Sequence, residues 1–160
     1  MSTNFNNSTP AAPAGFVNVS WQTDGSGNDS AYVPTSATNM TASNVDLTAQ
    51  TANVTTTTLF TPTASGLFRI SAYIVVTTVD GASSTLPSVI ISWEDQNNTT
   101  SQSLVLTPTN SGNTLTTYQE ATGVISAETA VAVTYATSGY ASGTPATMQF
   151  ALHLRIESLT

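Results

Sequence analysis

The chain has 160 residues, 7% of them charged, and a formal net charge of −7. Its only lysine or arginine residues are Arg69 and Arg155, and it has no cysteine. That balance argues against nucleic acid, which needs several cations to displace phosphate counterions, and against anionic membrane surfaces. It also removes disulfides and thiolate metal sites.

The length fits one domain of ordinary size, or one domain with an arm. About a third of the residues are Ser or Thr, so solubility rests on hydroxyls rather than charge, as on β-rich surfaces outside cells. The start, MSTNFNNSTPAAPAG, lacks the basic residues and apolar run of a secretory signal. No stretch approaches the ~18 apolar residues of a membrane helix. Assembly into a virus particle followed by lysis is one route outside without a signal, and a virion is the expected location.

Helical periodicity is weak throughout. Period-two segments recur between Gly, Pro, Asn and Ser clusters, which predicts an all-β sandwich or barrel. Strands are expected near 16–22, 54–60, 66–78, 87–95, 102–107, 113–120, 123–126, 130–136 and 146–158.

Residues 1–50 read as an N-terminal attachment arm, and 51–160 as the sandwich domain. The arm holds one short strand, GFVNVSWQ, a DGSGNDS turn and a connector rich in Thr, Ala and Asn. Alone it could not bury enough apolar area to fold. Val17, Val19 and Trp21 alternate with Asn18, Ser20 and Gln22, giving an apolar row suited to strand addition on a neighbour. Pro10 and Pro13 keep the entry extended. In DGSGNDS, Asp24, Ser26 and Asn28 have the alternate spacing of a calcium loop. Asp29 replaces the sharp-turn glycine and Thr35 the bidentate glutamate, so a plain turn is expected.

The run at 66–78 has two distinct faces. Phe68, Ile70, Ala72, Ile74 and Val76 form the apolar one; Leu67, Arg69, Ser71, Tyr73, Val75 and Thr77 form the other. The last strand repeats the plan, with Met148, Phe150, Leu152, Leu154 and Ile156 apolar and Gln149, Ala151, His153, Arg155 and Glu157 opposite. Arg69, Tyr73, His153 and Arg155 are therefore expected at a subunit interface, with carboxylate or carbonyl partners for the arginines.

Catalytic and metal chemistry finds little material. His153 is the sole histidine, no G-x-S-x-G elbow occurs, and a phosphate cradle would need a lysine. Glu94–Asp95, with Glu120 or Glu128, could be a glycosidase pair, but WEDQNN reads better as a strand ending in a solvated loop. Trp21 and Trp93 offer little platform for sugars. No catalytic residue, metal ligand or cofactor is expected.

TLFTPTASGLFRISAYIVV resembles an early strand–turn–strand unit of the C1q/tumour-necrosis-factor-like jelly roll, with Phe60, Thr61, Gly66, Phe68 and Ile70 on its F-T-x-x-x-x-G-x-[YF]-x-[FIV] pattern. ATGVISAETAVAVTYATSG and MQFALHLRIESL resemble its late strands. The resemblance covers about 53–160 and implies an antiparallel jelly roll that forms compact homotrimers. NSTPAAPAGFVNVSWQTDGSGNDSAYVP resembles N-terminal segments of phage fibre and decoration proteins, through Pro13, Ala14, Gly15, Asn18, Val19, Trp21 and Gln22, then Asp24, Ser26, Gly27 and Asn28. Together these imply a non-enzymatic phage virion protein, a trimeric capsid decoration or fibre protein. Its arm would bind a major capsid or tail protein, and a host-surface glycan is a further expected partner. The alternatives are a bacterial surface module binding glycan or protein, and a filament subunit joined by strand addition.

Overall fold

The computed structural model describes residues 16–22, 28–34 and 41–159. The chain divides into two compact units, Met1–Met40 and Thr41–Thr160.

In the first unit, β1 (Phe16–Gln22) pairs antiparallel with β2 (Asn28–Pro34) in unbroken register. The expected strand at 16–22 is present, and the stretch after the turn is a second strand rather than a connector. Asp24 and Ser26 lie outside the described residues. Asn28, however, pairs with Gln22, and β2 continues the ladder to Pro34. A calcium loop would need that same backbone wrapped around a cation. Val17, Val19 and Trp21 stand opposite Val33, Ala31 and Asp29, so the segment read as free for strand addition already has one edge paired. Their side chains are not among those described.

The second unit begins ten residues earlier than its sequence suggests. Its strands are β3 (Thr41–Gln50), β4 (Thr57–Phe60), β5 (Gly66–Thr78), β6 (Ser84–Leu86), β7 (Ser88–Glu94), β8 (Ser101–Thr107), β9 (Asn110–Ser111), β10 (Tyr118–Ala127), β11 (Val133–Ser138), β12 (Ala141–Ser142) and β13 (Gln149–Ser158). β3, expected as arm connector, pairs with β13 from Gln50 opposite Phe150 to Thr41 opposite Glu157. Its Val45 and Leu47 pack against the core. The boundary at 50/51 is therefore corrected to 40/41. A Thr- and Asn-rich stretch supplies too little apolar area by itself, but it becomes a strand when β13 offers an edge.

Two four-stranded antiparallel sheets form the sandwich, ordered β10-β5-β13-β3 and β4-β11-β7-β8. Counting only these eight strands along the chain, the orders are sixth-third-eighth-first and second-seventh-fourth-fifth. This is a jelly roll, in which sequence neighbours alternate between the two sheets except at the β7–β8 pair. A small sheet, β12-β6-β9, forms beside them. Between β6 and β7 stands buried Pro87. It has no N–H to continue a ladder, so the chain leaves the small sheet and enters the large one there.

The period-two reading of the core holds. Ile70, Ile74, Leu152 and Ile156 are at most 1% exposed, and Phe68, Ala72, Val76, Met148, Phe150 and Leu154 are buried with them. The expected strands at 113–120 and 123–126 are one strand, β10. Gly123 does not interrupt it, because an added Cβ there would come within 2.8 Å of Leu104 Cδ2 and 3.1 Å of Leu106 Cδ1. The glycine lets β8 close over β10. Residues 113–117, taken as strand, form a turn closed by Thr117 N–H donating to the Thr114 carbonyl.

Gly139, just after β11, has φ +84°, and a Cβ would meet Thr109 Cγ2 at 2.7 Å. Both the backbone and the space exclude a side chain. Gly139→Ala should cost about 1–2 kcal/mol, read as a lower urea midpoint at unchanged slope. An unchanged midpoint would show that this turn relaxes freely.

Candidate functional site

The outer face of the β10-β5-β13-β3 sheet is built by strand register. Because directly opposed residues in antiparallel strands share a face, one row reads Asp46, His153, Tyr73, Glu120 across β3, β13, β5 and β10. The next reads Asn44, Arg155, Ser71, Thr122. Glu157, Arg69 and Val124 follow. All four residues expected at an interface from sequence, Arg69, Tyr73, His153 and Arg155, are thus on this one face.

Each arginine has a carboxylate partner in its own chain, and it is the same one. Arg69 Nε donates to Glu157 Oε2 at 2.9 Å, with Nη2 also on that oxygen, while Arg155 Nε lies 3.1 Å from Oε1. The Arg69 hydrogen bond, reinforced by the charges of Arg69 and Arg155, holds the Glu157 carboxyl below its usual range. Pairs this exposed add little stability; what they do is fix the side chains in place. A residue at 69 on a long strand can be cationic because the opposite face, not this one, fills the sandwich.

His153 Nδ1 lies 2.7 Å from Asp46 Oδ1, and Asn44 Nδ2 donates to Asp46 Oδ2 at 3.0 Å. The imidazole contact, then the Asn44 amide, lowers the Asp46 pKa from its ordinary value. The rings of Tyr118, Tyr73 and His153 form a continuous strip across three strands. Centroid steps are 5.7 and 6.2 Å, and each neighbouring pair is tilted by 31°. Tyr73 is 39% exposed and Tyr118 51%. Alongside the strip lies a depression of about 640 Å³, lined by Asn44, Asp46, Ser71, Tyr73, Glu120, Thr122, His153 and Arg155 over Ala72, Ala121 and Leu154. Most of its polar lining is solvent-exposed, so the depression is shallow.

Charge is gathered here as well. Both arginines and the only histidine stand with three of the chain's nine carboxylates, Asp46, Glu120 and Glu157. The face is near neutrality in a molecule that is otherwise purely acidic.

The glycosidase arrangement considered from sequence is not assembled in this depression. Glu120 lines it, but Glu94 and Asp95 do not. Asp95 shapes a turn instead, its N–H donating to the Thr100 carbonyl and its Oδ1 accepting from Asn97 N–H at 2.9 Å. Glu128 Oε1 accepts from the Ser65 hydroxyl. Trp93 packs against the core, so among the described residues the exposed rings are the tyrosines Tyr73 and Tyr118. Sequence reasoning missed Asn44, Asp46 and Tyr118. The alternation Val45–Asp46–Leu47 was the available signal for the first two.

No protein-family model matches the sequence, and no curated protein matches it. Solved structures that match the chain include the following two. One is the CBM22-1–GH10 portion of a Clostridium thermocellum endo-1,4-β-D-xylanase complexed with xylohexaose, at 10% identity and TM-score 0.37, matching 74% of this chain. The chain spans only 26% of that structure. The other is a carbohydrate-binding module from Cellvibrio mixtus lichenase 5A complexed with cellotriose, at 11% identity and TM-score 0.31. It covers 92% of this chain and 89% of its own.

Proposed function

We propose that this chain is a non-enzymatic surface protein of a phage particle, whose jelly roll presents the outer face of the β10-β5-β13-β3 sheet as a recognition surface. The observation that carries the recognition role is that face itself, where Tyr73, His153 and Arg155 line one shallow depression and Tyr118 and Arg69 stand on the same face. The N-terminal unit serves as the attachment to a capsid or tail protein. Support for that part is its separate compactness. A two-stranded ribbon is marginal alone, so the attachment partner would complete its burial. Mass spectrometry of density-purified particles from the source cells tests the setting. Recovery at a fixed ratio to the major capsid protein is the expected result; recovery only in the cell envelope favours the bacterial-surface alternative.

A second reading uses the same face differently. Leu67, Tyr118 and Val124 are 41%, 51% and 57% exposed there, and a homotrimer would cover them along with Arg69, Tyr73, His153 and Arg155. Sedimentation of the full chain at micromolar concentration separates the two. A monomer leaves the face open for recognition. A trimer that Val124→Asp dissociates would show that the face is a subunit contact.

A further inference from the structure

We propose that the depression on the outer face binds a neutral oligosaccharide, laid along the Tyr118–Tyr73–His153 strip. The inference rests on the reading of this face as an open recognition surface and names its ligand class. Three features of the site converge on that class.

The first is the strip. A pyranose ring presents a weakly positive C–H face, which complements the negative face of an aromatic ring. Three neighbouring rings on adjacent strands, at steps of 5.7 and 6.2 Å, spread such a surface across the sheet, which suits a chain of sugars better than one compact molecule. The second is the polar lining. Asp46 and Asn44 stand on one side of Tyr73, and Glu120 and Thr122 on the other. Carboxylates, an amide and hydroxyls together supply both acceptors and donors, as a hydroxyl-rich ligand requires. Asp46 is already oriented by His153 and Asn44, so little ordering remains to be done on binding. The third is charge. Arg155 and Arg69 are both engaged with Glu157, and the molecule as a whole carries −7. Anionic sugars meet a repulsive field, while neutral ones meet a balanced face. The volume of about 640 Å³ is within the usual range of ligand sites, roughly 300–1,000 Å³.

The test applies the labelled full-length chain to an array of neutral, sialylated, sulfated and uronic-acid oligosaccharides. The tightest neutral ligand is then titrated by calorimetry against wild type and variants. Neutral glycans should be retained. Tyr73→Ala should weaken binding at least about fivefold, Tyr73→Phe should keep most of it, and Val105→Ser on the other sheet should change nothing. All variants should melt as wild type does. Retention of anionic glycans alone overturns the ligand class while leaving the recognition face standing. A monomeric protein that retains no glycan also overturns it. A trimer that retains none overturns the recognition reading as well, because the face is then covered.

Discussion

Leu152→Ala should lower the unfolding free energy of the jelly roll by about 2–5 kcal/mol, the range for large-to-small changes in a packed core. Leu152 is fully buried in β13, the strand flanked by β5 and β3, with Ile74 opposite on one side and Leu47 on the other. Neighbours held in ladders on both sides cannot easily close over the space left by the removed atoms. Ile70→Ala, 1% exposed on β5 and facing the same core, belongs to the same class. Total stabilities of domains are about 5–15 kcal/mol, so either change removes a large share. Urea unfolding should show a lower midpoint at unchanged slope. Losses below about 1 kcal/mol in both would mean that the core is not where the alternation puts it, since a one-residue slip exchanges the faces.

The long strands β5 and β13 were legible because β5 carries five apolar residues at strict period two and β13 four, in phase with Met148 just before it, and no helix accommodates that spacing. Their opposite faces were legible for the same reason, which is how Arg69, Tyr73, His153 and Arg155 were found together. β3 was not. Its Val45 and Leu47 are embedded in Thr, Ser and Asn, and what makes the segment a strand is the edge of β13, more than 100 residues away in sequence. Asp46 and Asn44 were lost with it, and with them one side of the site. Gly123 misled in the opposite direction. A glycine inside a strand pattern reads as a break, but here it makes room for Leu104 and Leu106, a contact that only the stacking of the two sheets creates. Tyr118 fell within an expected strand at 113–120, but the register that sets it beside Tyr73 begins only at β10. Local alternation carries strand faces well; pairings between distant strands leave no local trace, and the depression depends on three of them.

Asp80→Asn should be among the most damaging changes outside the apolar core, and its effect should depend on pH. Asp80 is 4% exposed in the loop after β5. Its Oδ1 accepts from the Ala82 N–H at 2.8 Å, and its Oδ2 from the Ser142 hydroxyl and, at 3.3 Å, the Thr147 N–H. Its backbone is clasped from the other side, where Asp80 N–H donates to Asn113 Oδ1 at 2.7 Å and Asn113 Nδ2 donates to the Asp80 carbonyl. Ser84 joins the same clasp through Asn113 Oδ1 and the Gly112 carbonyl. The Asp80 carboxylate therefore ties the loop after β5 to β12 and the loop beyond it, while the Asp80 backbone ties in the loop after β9. The Ser142 hydrogen bond first, then the backbone N–H groups of Ala82, Thr147 and Gly143, lower its pKa from 3.8 to about 2. Every partner of the carboxylate donates, so an asparagine, with one acceptor oxygen and an NH₂ group, must set a donor against donors. Since the folded pKa lies below the unfolded one, the contribution is complete above the ordinary value near 3.8 and is lost as pH falls through about 2. Thermal melts should therefore place Asp80→Asn well below wild type at pH 7. The gap should narrow steadily from pH 4 downward and be mostly gone by about pH 2. Equal melting temperatures at pH 7 would show that the three loops hold together without the carboxylate. A gap that persisted unchanged to pH 2 would mean that its shape, not its charge, is what the clasp needs.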